Sequence, residues 1–371
     1  MNVKGLKGVI DAKVSDYDII HIVNNDKFID SYYRLVCNKC SGKRHLFIYL
    51  FGEPESKFPI PENENVVNVN NLFKKFKNSY RLMCILNGIL SSGKKVIFHG
   101  LFSVDLQRAL FFLNNKLSNS YWFMWGADLY APVIQERSIR NVINNFIAKR
   151  PKGAFYGLVT YIYGDFELAQ KMYKSKSIYK ECILYPSNVC HVDFGSRKNK
   201  ISKEVKVLLG NSADPTNNHI ELLNDLSMLD TGGLDIKIYC PLSYGNQDYA
   251  KRVIEYGTEL FGNRFIPLVE FISLNRYQDM LSEIDFAIFG HRRQQAMGNI
   301  INLIGMGKTV YLNKNITTYE FMKSKGISVR CINNIDLVEI KEEEKENNKS
   351  IISGYFNEEK LISQLNDIFE E

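Results

Sequence analysis

The stretch VKVLLGNSADPTNNHIELLNDLSM, residues 205–228, decides the reading of the fold. Val205, Val207, Leu208 and Leu209 make a short apolar run that closes on Gly210-Asn211-Ser212. From about Asn218 the apolar residues Ile220, Leu223 and Leu226 recur at helical spacing. A strand that runs into a glycine turn and then into a helix is half of a βαβ unit. The pattern continues downstream, with strands predicted over 235–239, 263–267, 286–289 and 309–312 and helices over 248–260, 276–283 and 294–305. Upstream, apolar runs predict strands over 18–23, 44–51, 94–98, 121–125, 155–160 and 182–184. Helical spacing covers 71–90 and runs through Leu106, Leu110 and Leu113. Residues 195–203 are polar, charged and aperiodic, which marks a linker. The chain therefore reads as α/β, with two Rossmann-like domains at 1–195 and 204–345. A helical segment at 346–371 follows; its residues 356–369 are amphipathic, while 339–349 is dense in charge.

Composition narrows the function classes. A chain of 371 residues that is 45% hydrophobic and 24% charged suits two water-soluble domains and excludes global disorder. Apolar runs such as 46–51 and 109–113 fall far short of the ~20 residues that cross a bilayer. The first residues, MNVKGLKGVI, lack the sustained apolar core of a secretion signal, so a cytoplasmic protein is expected. Seven cysteines, scattered and odd in number, fit reduced thiols. Cys37-Asn38-Lys39-Cys40 has no second pair to complete a zinc site. Net charge is +6, yet residues 141–206 hold 12 Lys/Arg against 5 Asp/Glu. That belt, interleaved with Phe155, Tyr156, Tyr161, Tyr163, Tyr173 and Tyr179, predicts an anionic partner. Modest overall charge, with no recognisable nucleic-acid motif, argues against nucleic acid.

Ligands of open parallel sheets gather where strands end and helices begin. Those positions are few. In the first half they are His99-Gly100, Asp105 and Trp125-Gly126-Ala127-Asp128. In the second they are Gly210-Asn211-Ser212 with Asp214 and His219, the loop carrying Tyr244, and Gly290-His291-Arg292-Arg293-Gln294-Gln295. Two arginines and two amides ahead of an apolar helix suit a phosphate, because the helix dipole and the guanidinium fork both favour an anion. GNS is not a dinucleotide fingerprint and no Walker motif is present. His99 and Asp128, each closing a strand, are the acid/base candidates of the first half. Asp16-Tyr17-Asp18 precedes the first strand, away from any phosphate site, and is read as a chance match.

Taken together, FHG at 98–100, WGADLY at 125–130, LGNS with Asp214 and NHI at 209–220, and RQQ with Gly298 resemble glycosyltransferase family 56 over 94–315. Those bacterial enzymes move 4-acetamido-4,6-dideoxygalactose from a TDP-sugar to a lipid-linked disaccharide during enterobacterial common antigen synthesis. The resemblance implies a GT-B fold, with two Rossmann-like domains facing across a cleft, an acceptor held mainly by the first, and a C-terminal segment at 346–371 that packs back on it. It implies a TDP-sugar donor site lined by Gly210, Asn211, Ser212, His219, Tyr244, Arg292, Arg293, Gln294, Gln295 and Asn299. His99 and Asp128 would face the sugar, one of them acting as base. It further implies an undecaprenyl-diphosphate-linked oligosaccharide acceptor, of common antigen, O-antigen or capsule, and peripheral attachment to the anionic inner face of the inner membrane. No metal cofactor is expected, since basic side chains and a helix start neutralise the diphosphate. The sequence departs from the family pattern at Ala296-Met297 and at Asn299, where glycine and threonine are typical. The same two halves also suit a nucleotide-sugar epimerase or hydrolase, or a non-catalytic nucleotide- or glycan-binding protein.

Overall fold

The computed structural model describes residues 3–40, 42–51, 58–69, 78–134, 138–190, 204–229 and 233–371. The predicted linker at 195–203 and the start of the helical pattern at 71–77 lie outside them. The chain forms two compact units, Met1–Val189 with Glu358–Glu371, and Cys190–Asn357.

In the first unit the order is α1 (Val3–Ser15), β1 (Ile19–Asn24), α2 (Ile29–Lys39), β2 (His45–Phe51), β3 (Val66–Asn68), α3 (Asn78–Ser91) and β4 (Lys95–His99). Then follow α4 (Val104–Phe112), β5 (Ser120–Phe123), α5 (Gly126–Ile134), α6 (Ile139–Lys152), β6 (Gly157–Val159), α7 (Tyr163–Tyr173) and β7 (Ile178–Lys180). The strands form one sheet in the order β3-β2-β1-β4-β5-β6-β7, and their pairings are parallel. β1 and β4 are buried along almost their whole length rather than alternately, as strands covered by helices on both faces must be. The sequence pattern places α1 nowhere, because Ile10 and Val14 are among the few side chains it buries. The strand predicted at 182–184 does not form, and β7 lies at 178–180 instead. Leu184 has φ +77°, which no strand accommodates, and the Ile183 amide donates to Gln364 rather than to a neighbouring strand.

The second unit holds β8 (Glu204–Leu209), α8 (His219–Ser227), β9 (Asp235–Pro241), α9 (Gln247–Phe261), β10 (Phe265–Leu268), α10 (Leu274–Glu283) and β11 (Phe286–Phe289). It continues through α11 (Met297–Gly305), β12 (Thr309–Leu312), α12 (Thr317–Ser324), β13 (Arg330–Cys331) and α13 (Glu342–Tyr355). Its sheet runs β10-β9-β8-β11-β12-β13, again with parallel pairings. Both sheets thus start in the middle, step outward in one direction and then return to the other side of their first strand. That reversal places a switch point between β1 and β4 and another between β8 and β11.

The segment after 345 divides. α13 packs on α11 and stays with the second unit, whereas α14 (Glu358–Glu370) belongs to the first. α14 buries Leu361, Leu365, Ile368 and Phe369, and the buried Lys95 ammonium donates to the carbonyls of Ile368 and Phe369 at its C-terminal end. A cation on the last carbonyls of a helix is favoured by both hydrogen bonding and the dipole.

Candidate functional site

The second switch point gathers most of the predicted donor residues. Gly210 turns the chain after β8 at φ +68°, and a Cβ there would meet the His219 imidazole Nε2 at 2.3 Å. Glycine is therefore required on both counts. The Asn211 amide nitrogen donates to Asn217 Oδ1 at 3.1 Å, and its side-chain Nδ2 donates to the Tyr244 hydroxyl at 3.2 Å. A bridge between Ala213 and Gly245 brings the Tyr244 loop to this turn. Ser212 is buried beside it, its hydroxyl accepting from Asn217 Nδ2 at 3.4 Å.

Across the switch point α11 begins from Ala296, held in the left-handed region at φ +58° and capping the helix with no side chain. The first amides of α11 are thus left for an anion. Arg293 stands just ahead of them, 14% exposed, with its Nη2 donating to Asp214 Oδ2 at 2.8 Å. Burial pushes the Asp214 carboxyl up, but hydrogen bonds from Arg293 and Thr216 outweigh it and hold the pKa below the ordinary value. Gln295 Nε2 donates to the Thr216 hydroxyl at 3.2 Å, the Gln294 carbonyl accepts from Arg293, and Asn299 Nδ2 donates to the Tyr277 hydroxyl at 2.8 Å.

Two predicted donor residues sit elsewhere. Arg292 points outward, 56% exposed, and pairs with Glu221 at 3.2 Å. His219 is fully buried beneath the Gly210 turn, without a partner for either ring nitrogen among the described residues, and burial pushes its pKa down to about 4. It supports the turn from below rather than lining its open side. The residue that does organise the site is His291, quoted in the sequence cluster but not selected from it. Its Nε2 lies 3.0 Å from both Asn211 Oδ1 and Asn217 Oδ1. Two amide oxygens require a donor, so Nε2 carries the proton and one imidazole fixes both asparagines.

At the first switch point the acid/base candidates are buried and occupied. Asp128 is 2% exposed; its Oδ2 accepts from Leu101 N at 2.8 Å and Trp122 Nε1 at 2.7 Å, and its Oδ1 from Trp125 N at 2.9 Å. Burial raises its pKa to about 6 against the nearby Lys152 ammonium, whose own value burial lowers to about 8. His99 is the third link of a buried relay. Trp125 Nε1 donates to the Tyr185 hydroxyl at 2.7 Å, and that hydroxyl lies 2.8 Å from His99 Nδ1. His99 Nε2 lies 3.1 Å from His21 Nδ1, and His21 Nε2 lies 2.9 Å from His45 Nδ1. A neutral imidazole donates from one nitrogen and accepts at the other, so the three rings link head to tail with one proton each. Every ring is then neutral, in keeping with pKa values driven by burial to about 3 for His99 and about 4 for His45. Both residues lock the sheet edge together, and neither presents a free atom to a substrate.

The same edge carries a carboxylate that no pattern in the sequence marks. Asp26 follows β1 at the switch point, and burial raises its pKa above the ordinary value. Its Oδ1 accepts from the Phe28 amide at 3.4 Å, and the Lys27 amide also donates to the carboxylate. The Phe28 ring packs on Trp125 at 5.3 Å, and Phe102, 39% exposed, packs on Trp125 at 5.2 Å. Asp26 thus stands beside a partly open aromatic surface, the kind on which a sugar face stacks.

Residues 76–354 match the family model described as 4-alpha-L-fucosyltransferase, glycosyl transferase group 56. Among solved structures, the chain is similar to the sucrose-phosphate synthase of Thermosynechococcus elongatus, at 12% identity and TM-score 0.66, covering 95% of this chain and 98% of that one. It is also similar to a UDP-forming trehalose-phosphate synthase of Burkholderia xenovorans, at 9% identity and TM-score 0.63, covering 96% and 99%. Both neighbours have the GT-B fold of paired Rossmann-like domains, and at this identity the likeness is one of fold.

Proposed function

The chain belongs to glycosyltransferase group 56, and from that premise we propose that it transfers a 4-acetamido-4,6-dideoxyhexose from a TDP-sugar to an undecaprenyl-diphosphate-linked oligosaccharide. The product would be a bacterial surface polysaccharide: common antigen, O-antigen or capsule. The family description names a fucosyl group, which is 6-deoxygalactose, the same class of 6-deoxy sugar. The observation that carries the reading is the second switch point. Arg293 and the uncapped start of α11 converge with the Asn211 turn, which supplies charge and free amides where a nucleoside diphosphate leaves.

In this mechanism the acceptor hydroxyl attacks the anomeric carbon as the bond to the diphosphate oxygen breaks. TDP departs with the electron pair toward Arg293 and the α11 amides. The hydroxyl proton passes to Asp26, whose raised pKa suits a base that must release its proton again. His99 and Asp128 hold the Trp125 loop in place instead of taking that proton. No step calls on a metal ion.

The test is thermal stability with TDP, UDP, GDP and CMP added singly. A ligand that binds only the folded protein adds about 2.7 kcal/mol at a hundredfold excess over its Kd. Stabilisation by TDP alone supports the donor; stabilisation only by another nucleotide overturns it while leaving the transferase class intact.

A further inference from the structure

α6 is built inside out. Its sequence is IRNVINNFIAKRPK, and the apolar residues Ile139, Val142, Ile143 and Phe146 are 83%, 62%, 52% and 70% exposed. Spaced i, i+3, i+4 and i+7, they form one stripe along the helix. The opposite face turns asparagine and alanine toward the protein: Ala148 is buried, and Asn144 Oδ1 accepts from Arg108 on α4 at 3.4 Å. Ordinary core packing would reverse this arrangement. The stripe does not stand alone, because Phe112 on α4 is also 70% exposed.

Charge identifies the occupant. Lys149 and Arg150 continue the same helical face at i+10 and i+11, and both are exposed. Residues 138–164 contain no Asp or Glu. The nearest acid of α4, Asp105, is bonded to Ser79 and paired with Arg108 at 3.9 Å. An apolar stripe that ends in two unopposed cations suits the boundary between acyl chains and anionic headgroups. A protein partner would present carboxylates and a matched surface, for which a four-residue stripe on one helix supplies little area.

We propose that α6 seats the first unit on an anionic lipid surface, with Ile139, Val142, Ile143 and Phe146 entering the acyl boundary and Lys149 and Arg150 meeting the headgroups. α6 runs alongside α4, with Asn144 at Arg108 and Arg150 over the Phe111 ring, so its start lies toward the sheet edge where α4 begins, the edge that carries Trp125 and Asp26. A lipid-linked acceptor would thus reach its binding edge along the bilayer surface. The inference rests on the lipid-linked reading of the acceptor: charge alone would let high salt release the protein, whereas the stripe holds part of it.

The experiment is flotation of the full chain with vesicles of phosphatidylcholine alone or with about a third phosphatidylglycerol. Binding is expected to the anionic vesicles and to survive high salt in part. The double variant Ile139→Ser/Phe146→Ser should bind about tenfold or more weakly with an unchanged melting curve. Lys149→Gln/Arg150→Gln should abolish the salt dependence. Transfer to a water-soluble acceptor glycan should be unaffected in both. Equal binding of the apolar variant and the natural chain, indifference to lipid charge, or conversion of a dimer to a monomer by the variant would each overturn the proposal. TDP-dependent stabilisation is read separately, so failure of the donor reading and failure of the docking surface are distinguishable.

Discussion

Asp26 and Asp128 share one sheet edge and differ in what their oxygens touch. Three donors hold Asp128, two on Oδ2 and one on Oδ1. An amide in its place would set an NH2 group against an N–H and leave the buried Lys152 without its counter-charge. Asp128→Asn should therefore cost about 3–5 kcal/mol of stability, read from denaturant unfolding. Asp26→Asn should melt within a few degrees of the natural protein, keep TDP binding and lose transfer by about a hundredfold or more. If the folded fraction of Asp128→Asn is inactive while Asp26→Asn is active, the roles are reversed. The two arginines allow the same kind of contrast. Arg293→Ala should weaken nucleotide binding at least about tenfold, measured by titration calorimetry, and Arg292→Ala, already turned to Glu221 and solvent, should leave it within about twofold. Asn299 comes only from the family resemblance, whereas strand-end position in the sequence marks Asn211, Tyr244, Arg293 and Gln295 as candidates. It does not say which way a side chain turns, so His99, Asp128 and His219 read as site residues although packing draws them inward. Asp26, two residues past β1 and among other polar residues, carries no periodicity to mark it.

The histidine relay ties β1, β2 and β4 through side chains as well as through the backbone ladder. A neutral relay is a stability term with a sign. Unfolded histidines bind a proton near pH 6.5, whereas burial holds His45 neutral down to about 4 and His99 to about 3. Between those limits the unfolded state binds more protons, so stability is full above about 6.5 and falls as the pH drops. Each such histidine contributes a slope of about 1.4 kcal/mol per pH unit inside its window. His45→Asn should reduce the measured slope by that amount between pH 4.5 and 6, in urea unfolding at a series of pH values; an unchanged slope would show that His45 is charged in the folded state. None of this was legible in the sequence, because His21, His45 and His99 are far apart in the chain and meet only when strand order places β1 between the other two. The strands themselves were legible, since buried parallel strands are continuous apolar runs. The displaced β7 shows the limit: the run at 182–184 is equally apolar, and the positive φ of Leu184 decides against it.

For the whole molecule, the repeated strand–helix alternation shows two α/β units, but alternation cannot show that the last helix returns to the first. α14 returns because its apolar face finds partners there: Phe369 packs 4.6 Å from the His45 ring, and Gln364 accepts from the Ile183 amide. The preceding helix carries its own buried Ile352 and remains with the second unit. This division can be read spectroscopically, because the chain has two tryptophans, Trp122 and Trp125, and both lie in the first unit. Tryptophan fluorescence thus reports that unit alone, while backbone dichroism reports both. Leu365 is fully buried in α14, and Leu365→Asp would place an unpaired carboxylate among apolar side chains. The tryptophan transition should fall by roughly 10 °C, since a loss of a few kcal/mol moves a unit of this size by that much. The TDP-dependent stabilisation should persist in the dichroism transition, because Arg293 and α11 belong to the other unit. A tryptophan midpoint that does not move would mean that the first unit folds without its C-terminal helix, and Lys95 would then be a buried ammonium with no carbonyls to receive it.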